Sequence, residues 1–155
     1  MRGKSVEKRT GEVVTQMHYA LRGEVTKEMV RAAEREKIDV ELVRSEVAKG
    51  RLVIPSNINH SNLDPQAIGD VATCKINTNI GGSPLRSGAE EELKKLKLCL
   101  ALGSDAVMDL TVGPHIKAIR RALLAECPAP LGTVPIYEAA ERVYSTVFGK
   151  TGAGR

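Results

Sequence analysis

In the second half of this chain a short apolar run gives way to a helical pattern, and the alternation recurs about every 29 residues. A strand is expected around Ala72 to Asn77. Behind it an S-x-x-E capping box, Ser87-Gly88-Ala89-Glu90, opens a helix whose face carries Ala89, Leu93, Leu96 and Leu100, and Gly103 closes it. Ala106 to Leu110 reads as a buried strand, and Ile116, Ile119 and Leu123 mark the inner face of the next helix. Pro128 and Pro130 precede a third strand, Leu131 to Pro135, and a last helix is expected from near Tyr137 toward Phe148. Strand and helix alternating at this spacing imply parallel strands joined by right-handed crossovers, so the fold class is α/β. Open doubly wound sheets and (β/α)8 barrels both use such units, and the periodicity fits either. In both, function collects at the carboxyl ends of the strands. Those ends carry Asn77 and Asn79, then Met108 and Asp109, then Thr133, Pro135 and Tyr137. Because Asn79, Met108 and Tyr137 are each 29 residues apart, they are expected at equivalent places on three successive connections, forming one pocket wall.

The first half is different. Thr15 caps a helical turn or two ending near Gly23, and Thr26 caps a helix through Lys37 with Met29, Val30 and Ala33 on its apolar side. Asp39 starts a third helix through Val40, Val43 and Val47, with Gly50 as its stop. Leu52 to Pro55 reads as a strand, followed by the amide-rich Ser56-Asn57-Ile58-Asn59-His60, whose side chains are expected to satisfy backbone turns. The organisation expected is a helical lead-in over 1–50, βα units over 51–143 and a divergent, flexible tail over 144–155.

Composition narrows the function classes. Aromatics are only 3% of residues, so the core is aliphatic and no stacking platform accompanies the basic residues. The net charge of +4 is spread along the chain without a dense run, which argues against nucleic acid and suits an anionic metabolite. Cys74, Cys99 and Cys127 lie far outside the short spacings that grip zinc or an iron–sulfur cluster, and all three are expected as buried thiols. His18, His60 and His115 are read as hydrogen-bonded structural residues. Gly149-Lys150-Thr151-Gly152 lacks the first glycine and the spacing of a P-loop. With no apolar leader pattern after Met1 and no stretch of membrane-spanning length, a cytoplasmic location is expected, without membrane contact.

Six peptides in order resemble the phosphomethylpyrimidine synthase family. They are Thr15-Gln16-Met17-His18-Tyr19-Ala20, Val43-Arg44-Ser45-Glu46-Val47-Ala48, Ile54-Pro55-Ser56-Asn57-Ile58-Asn59-His60, Lys75-Ile76-Asn77-Thr78-Asn79-Ile80-Gly81, Ala106-Val107-Met108-Asp109-Leu110 and Gly132-Thr133-Val134-Pro135-Ile136-Tyr137. The likeness covers Val14 to Glu141, and Tyr144 to Arg155 departs from it. It implies the first units of a (β/α)8 barrel, a partial barrel here. Its mouth binds 5-aminoimidazole ribonucleotide and rearranges it to the phosphorylated hydroxymethylpyrimidine of thiamine. By the same resemblance Asn79, Met108 and Tyr137 contact that substrate.

The family's reaction uses a [4Fe-4S] cluster and S-adenosylmethionine, with a further zinc-type divalent metal, and the complete enzyme is expected as a homodimer. The family's C-x2-C-x4-C run and later metal-binding histidines have no counterpart in this chain, so no catalytic or metal residue is assigned and no turnover is expected from it alone. Two alternatives stand beside this reading. One is the related 5-hydroxybenzimidazole synthase, which starts from the same nucleotide. The other is a non-catalytic module whose open strand edges pair with a partner.

Overall fold

The computed structural model describes residues 15–83 and 88–147. These fall into two compact units. One extends to Lys75 and takes in Pro128–Pro130; the other comprises Ile76–Cys127 and resumes at Leu131.

The N-terminal unit holds α1 (Gln16–Leu21), α2 (Lys27–Glu36) and α3 (Val40–Ala48). Each helix starts at the side chain the sequence nominates. The Thr15 hydroxyl accepts from His18 N–H, the Thr26 hydroxyl from Met29 N–H, and the Asp39 carboxylate from Glu41 and Leu42 N–H. Thr26 also donates to Gln16 Oε1 at 2.6 Å, which ties the start of α2 to α1. Met29, Ala32 and Ala33 of α2 pack with Val43 and Val47 of α3, Ala20 of α1, Leu52 and Ile54 in one aliphatic core. Val30 is 42% exposed and lies off that face, because the stripe runs through residues 29, 32, 33 and 36.

Leu52 and Val53 form β1, and Ile68 and Gly69 form β2, paired antiparallel. β1 is therefore not a member of the parallel sheet. Gly69 is required at this crossing: its φ is +150°, and a Cβ there would sit 2.2 Å from the Arg51 carbonyl oxygen. The segment between the strands turns as its amides suggest, with Asn57 Oδ1 accepting from Asn59 N–H at 2.9 Å.

The second unit is a parallel sheet with interleaved helices, as the alternation implies. Its strands are β3 (Asn77–Ile80), β4 (Ala106–Asp109) and β5 (Leu131–Thr133), hydrogen-bonded in that order. Helix α4 (Ala89–Ala101) follows β3, α5 (Ile116–Glu126) follows β4, and α6 (Pro135–Val147) follows β5. The capping-box residue Ser87 and the Gly149–Gly152 segment lie outside the described residues. β3 begins later than the strand expected around Ala72 to Asn77: Ala72 is in a turn, and pairing starts at Asn77.

Alternation along the strands sorts their side chains onto two faces. Ile80, Val107 and Asp109 share one face and are buried, as are Leu96 of α4 and Ile116, Ile119 and Leu123 of α5. The other face carries Asn77, Asn79, Ala106, Met108 and Gly132, with both asparagines exposed. Helices on one side of a parallel sheet and an open polar face on the other is the arrangement a (β/α) unit presents. Among the described residues no helix is long and apolar enough to cross a membrane.

Candidate functional site

The open face of the parallel sheet brings together two of the three expected site residues. Asn79 and Met108 are direct register partners on β3 and β4, so both side chains leave the same face of the sheet. Tyr137 is not the third member of that row. The register partner of Met108 on β5 is Gly132, twenty-four residues on, because the β4-to-β5 connection is shorter than the β3-to-β4 one. Counting 29 residues from Met108 overshoots the strand and lands on the first turn of α6. There Tyr137 N–H donates to the Val134 carbonyl at 3.1 Å, and the residue is 39% exposed.

That turn is held firmly. Glu138 accepts from Arg142 Nη2 at 2.6 Å and from Arg120 Nη1 of α5 at 3.0 Å, with Lys117 Nζ at 3.5 Å. Hydrogen bonds from Arg142 and Arg120 hold the Glu138 carboxyl below its ordinary pKa. The start of α6 is thus pinned to α5, and Pro135 at its first position is preset for the helix.

Asp109 and Thr133, also at strand ends, point the opposite way. They are partners of Ile80 and Asp109 respectively on the helix-covered face. Asp109 instead organises the connections: its carboxylate accepts from the Thr111 N–H and hydroxyl, and Thr111 Oγ1 in turn accepts from Gly82 N–H at 3.2 Å. Leu110 N–H donates to Ile80 O at 2.8 Å and Val112 N–H to Gly82 O at 3.0 Å. Gly81 permits this closeness, since a Cβ there would lie 2.7 Å from the Leu110 carbonyl carbon. The loops leaving β3 and β4 are therefore locked side by side next to Asn79 and Met108.

Two further residues belong to this face. Asn77 Nδ2 donates to Asn79 Oδ1 at 3.2 Å, a bond that does not use the Asn79 NH2 donors. Gly132 lies under the Met108 side chain. Asn77 is already among the strand-end residues named from the sequence; Gly132 is not, and the signal that could have marked it is a glycine inside a strand.

A separate apolar cavity of about 360 Å³ lies in the N-terminal unit, lined by Thr15, Gln16, Met17, Val47, Leu52, Val53, Ile54 and Ser56. No ionisable side chain lines it, so it offers shape and hydroxyls but no acid–base chemistry. The cysteines are less uniform than expected. Cys127 is buried, Cys99 half-buried and Cys74 exposed.

Fold and site together define an α/β protein whose parallel sheet carries Asn77, Asn79 and Met108 on the face away from its helices. The chain belongs to the radical SAM ThiC family, whose model matches residues 15–150. The match continues past Glu141 and takes in part of the segment expected to diverge. Membership associates the chain with the pyrimidine branch of thiamine synthesis and with radical S-adenosylmethionine chemistry, which in the complete enzyme uses a [4Fe-4S] cluster. The described residues do not fit that cluster. Three thiolates must converge on it, whereas Cys74 follows β2, Cys99 lies on α4 and Cys127 caps α5. Among the described residues no three His, Cys, Asp or Glu side chains are grouped as metal ligands.

Proposed function

We propose that this chain supplies part of the substrate pocket of a phosphomethylpyrimidine synthase, with 5-aminoimidazole ribonucleotide resting on the open face of the parallel sheet. The observation that carries the reading is the register pairing of Asn79 with Met108 on that face, within a chain of this family. Asn79, oriented by Asn77, offers N–H donors to a ring nitrogen or ribose hydroxyl. The Met108 thioether gives a polarizable floor against a flat heterocycle. Tyr137, on the pinned first turn of α6, supplies a phenol at the edge of the same strand ends. The sheet and its helices are read as the opening βα units of a (β/α)8 barrel, in which this face is the lumen.

In this reading the chain's own residues bind and orient the nucleotide. The cluster-dependent hydrogen abstraction is not assigned to any of them. Isothermal titration of the 155-residue chain with 5-aminoimidazole ribonucleotide tests the proposal. Binding that weakens about tenfold in Asn79→Ala, the loss of one well-placed polar contact, is the expected outcome. Equal affinity in the wild-type and variant chains contradicts it.

A further inference from the structure

We propose that Gly132 is a positioning residue of this site: by carrying no side chain it opens the slot in which the Met108 thioether lies. The inference rests on the reading that Met108 contacts the nucleotide, and it deepens that reading by naming what sets the depth of the floor.

Met108 and Gly132 are direct partners on β4 and β5, so any side chain at 132 would share the face of Met108. A Cβ at 132 would lie 2.9 Å from both Sδ and Cε of Met108, well inside the separation at which such atoms attract. The backbone gives no other reason for glycine. Gly132 is not among the positive-φ glycines, which among the described residues are Gly23, Gly50, Gly69, Gly103 and Gly113. The nearest backbone atom to its absent Cβ, the Val107 carbonyl oxygen, is 3.9 Å away, an ordinary contact. Gly69 and Gly81 differ on this point, because a Cβ at either would strike main chain.

Glycine inside a strand forfeits packing and chain stiffness. What it contributes at 132 is room for one flexible side chain. Methionine has three rotatable side-chain bonds, so alanine at this position is accommodated by moving the thioether. Lifted off the sheet, the sulfur enters the space above Asn79 and Met108 where a planar ring would rest. Gly132 thereby favours a flat heterocycle and sets how closely it approaches the strands.

The test uses the full chain labelled with ¹³C-methyl methionine, which has four such groups, Met1, Met17, Met29 and Met108. In Gly132→Ala the Met108 methyl resonance is expected to move without ligand, while that of Met29, buried in the N-terminal core, serves as reference. Affinity for 5-aminoimidazole ribonucleotide is expected to fall about tenfold in Gly132→Ala and about tenfold in Met108→Ala. In the double variant it falls no further than in Met108→Ala, since the two changes act through one side chain. A Met108 resonance unchanged by Gly132→Ala, or single losses that multiply in the double variant, would overturn the assignment. Should Gly132→Ala fail to fold, the double variant is expected to fold because the clashing partner is gone; its failure too would overturn the assignment. A methyl shift of the expected kind in a chain that binds no nucleotide supports the Gly132 slot while contradicting the proposed substrate.

Discussion

On the open sheet face, Asn79 has one of its side-chain hydrogen bonds already made. Its carbonyl oxygen accepts from Asn77 Nδ2 at 3.2 Å, a bond that restrains rotation of the side chain and does not use its NH2 donors. Removing Asn77 frees that rotation without deleting the contact, so Asn77→Ala is predicted to weaken nucleotide binding about threefold, less than Asn79→Ala, by calorimetric titration. Carboxylates elsewhere link the stability of the fold to pH. Glu46 is buried and accepts from Arg51 Nε at 2.6 Å and Lys49 Nζ at 3.0 Å, and those hydrogen bonds hold its pKa down to about 2. Glu36 is also held below its ordinary value: burial pushes it up, but hydrogen bonds from Lys75 and Thr73 outweigh that. Groups with depressed folded-state values contribute stability above the unfolded carboxylate range and lose it as pH falls. For Glu46 that loss runs from about 4.5 down to about 2. Glu46→Gln is predicted to lower thermal stability at neutral pH and to flatten its decline across this window, as followed by circular dichroism. A decline as steep as in the wild type would contradict the assignment.

At the scale of elements, the helices were legible and the strands less so, for a physical reason. Helix starts are written in short polar side chains, and Thr15, Thr26 and Asp39 each perform the cap their position implies. The inner face of α5 follows from the spacing of Ile116, Ile119 and Leu123. β3 forms at Asn77–Ile80 and not around Ala72 as the sequence suggests, because Asn77-Thr78-Asn79 puts amides where a core strand puts aliphatics. Strand patterning weakens where one face carries amides instead of aliphatics, so β3 is poorly marked in the sequence. Tyr137 departs from the expected row for a different reason. A 29-residue count cannot sense that the β4-to-β5 connection is shorter, and only the pairing of Met108 with Gly132 reveals it. The pairing of β1 with β2 was invisible because each strand has two residues. Packing makes its own prediction. Leu123 is fully buried on α5, so Leu123→Ala is predicted to cost about 2–5 kcal/mol in denaturant unfolding. A cost below about 1 kcal/mol would contradict its place in the core.

For the molecule as a whole, the proposed function separates nucleotide binding, which this chain's residues would perform, from the cluster chemistry. The chain's three cysteines lie in separate segments with different exposure, and among the described residues no three ligand side chains are grouped, which does not suit a cluster that needs three converging thiolates. Supplied with iron, sulfide, reductant, S-adenosylmethionine and 5-aminoimidazole ribonucleotide, the purified chain is predicted to form no pyrimidine phosphate by mass spectrometry. Any catalytic turnover would contradict that division. The central claim, that the nucleotide rests on the open face of the parallel sheet, is tested most directly by titrating it into the chain labelled at methionine methyls and asparagine side-chain amides. Met108 and Asn79 report on the sheet face, and Met17 on the apolar cavity of the N-terminal unit. The prediction is concentration-dependent shifts at Met108 and Asn79 with Met17 unmoved; shifts at Met17 alone, or none at any of the three, would contradict it.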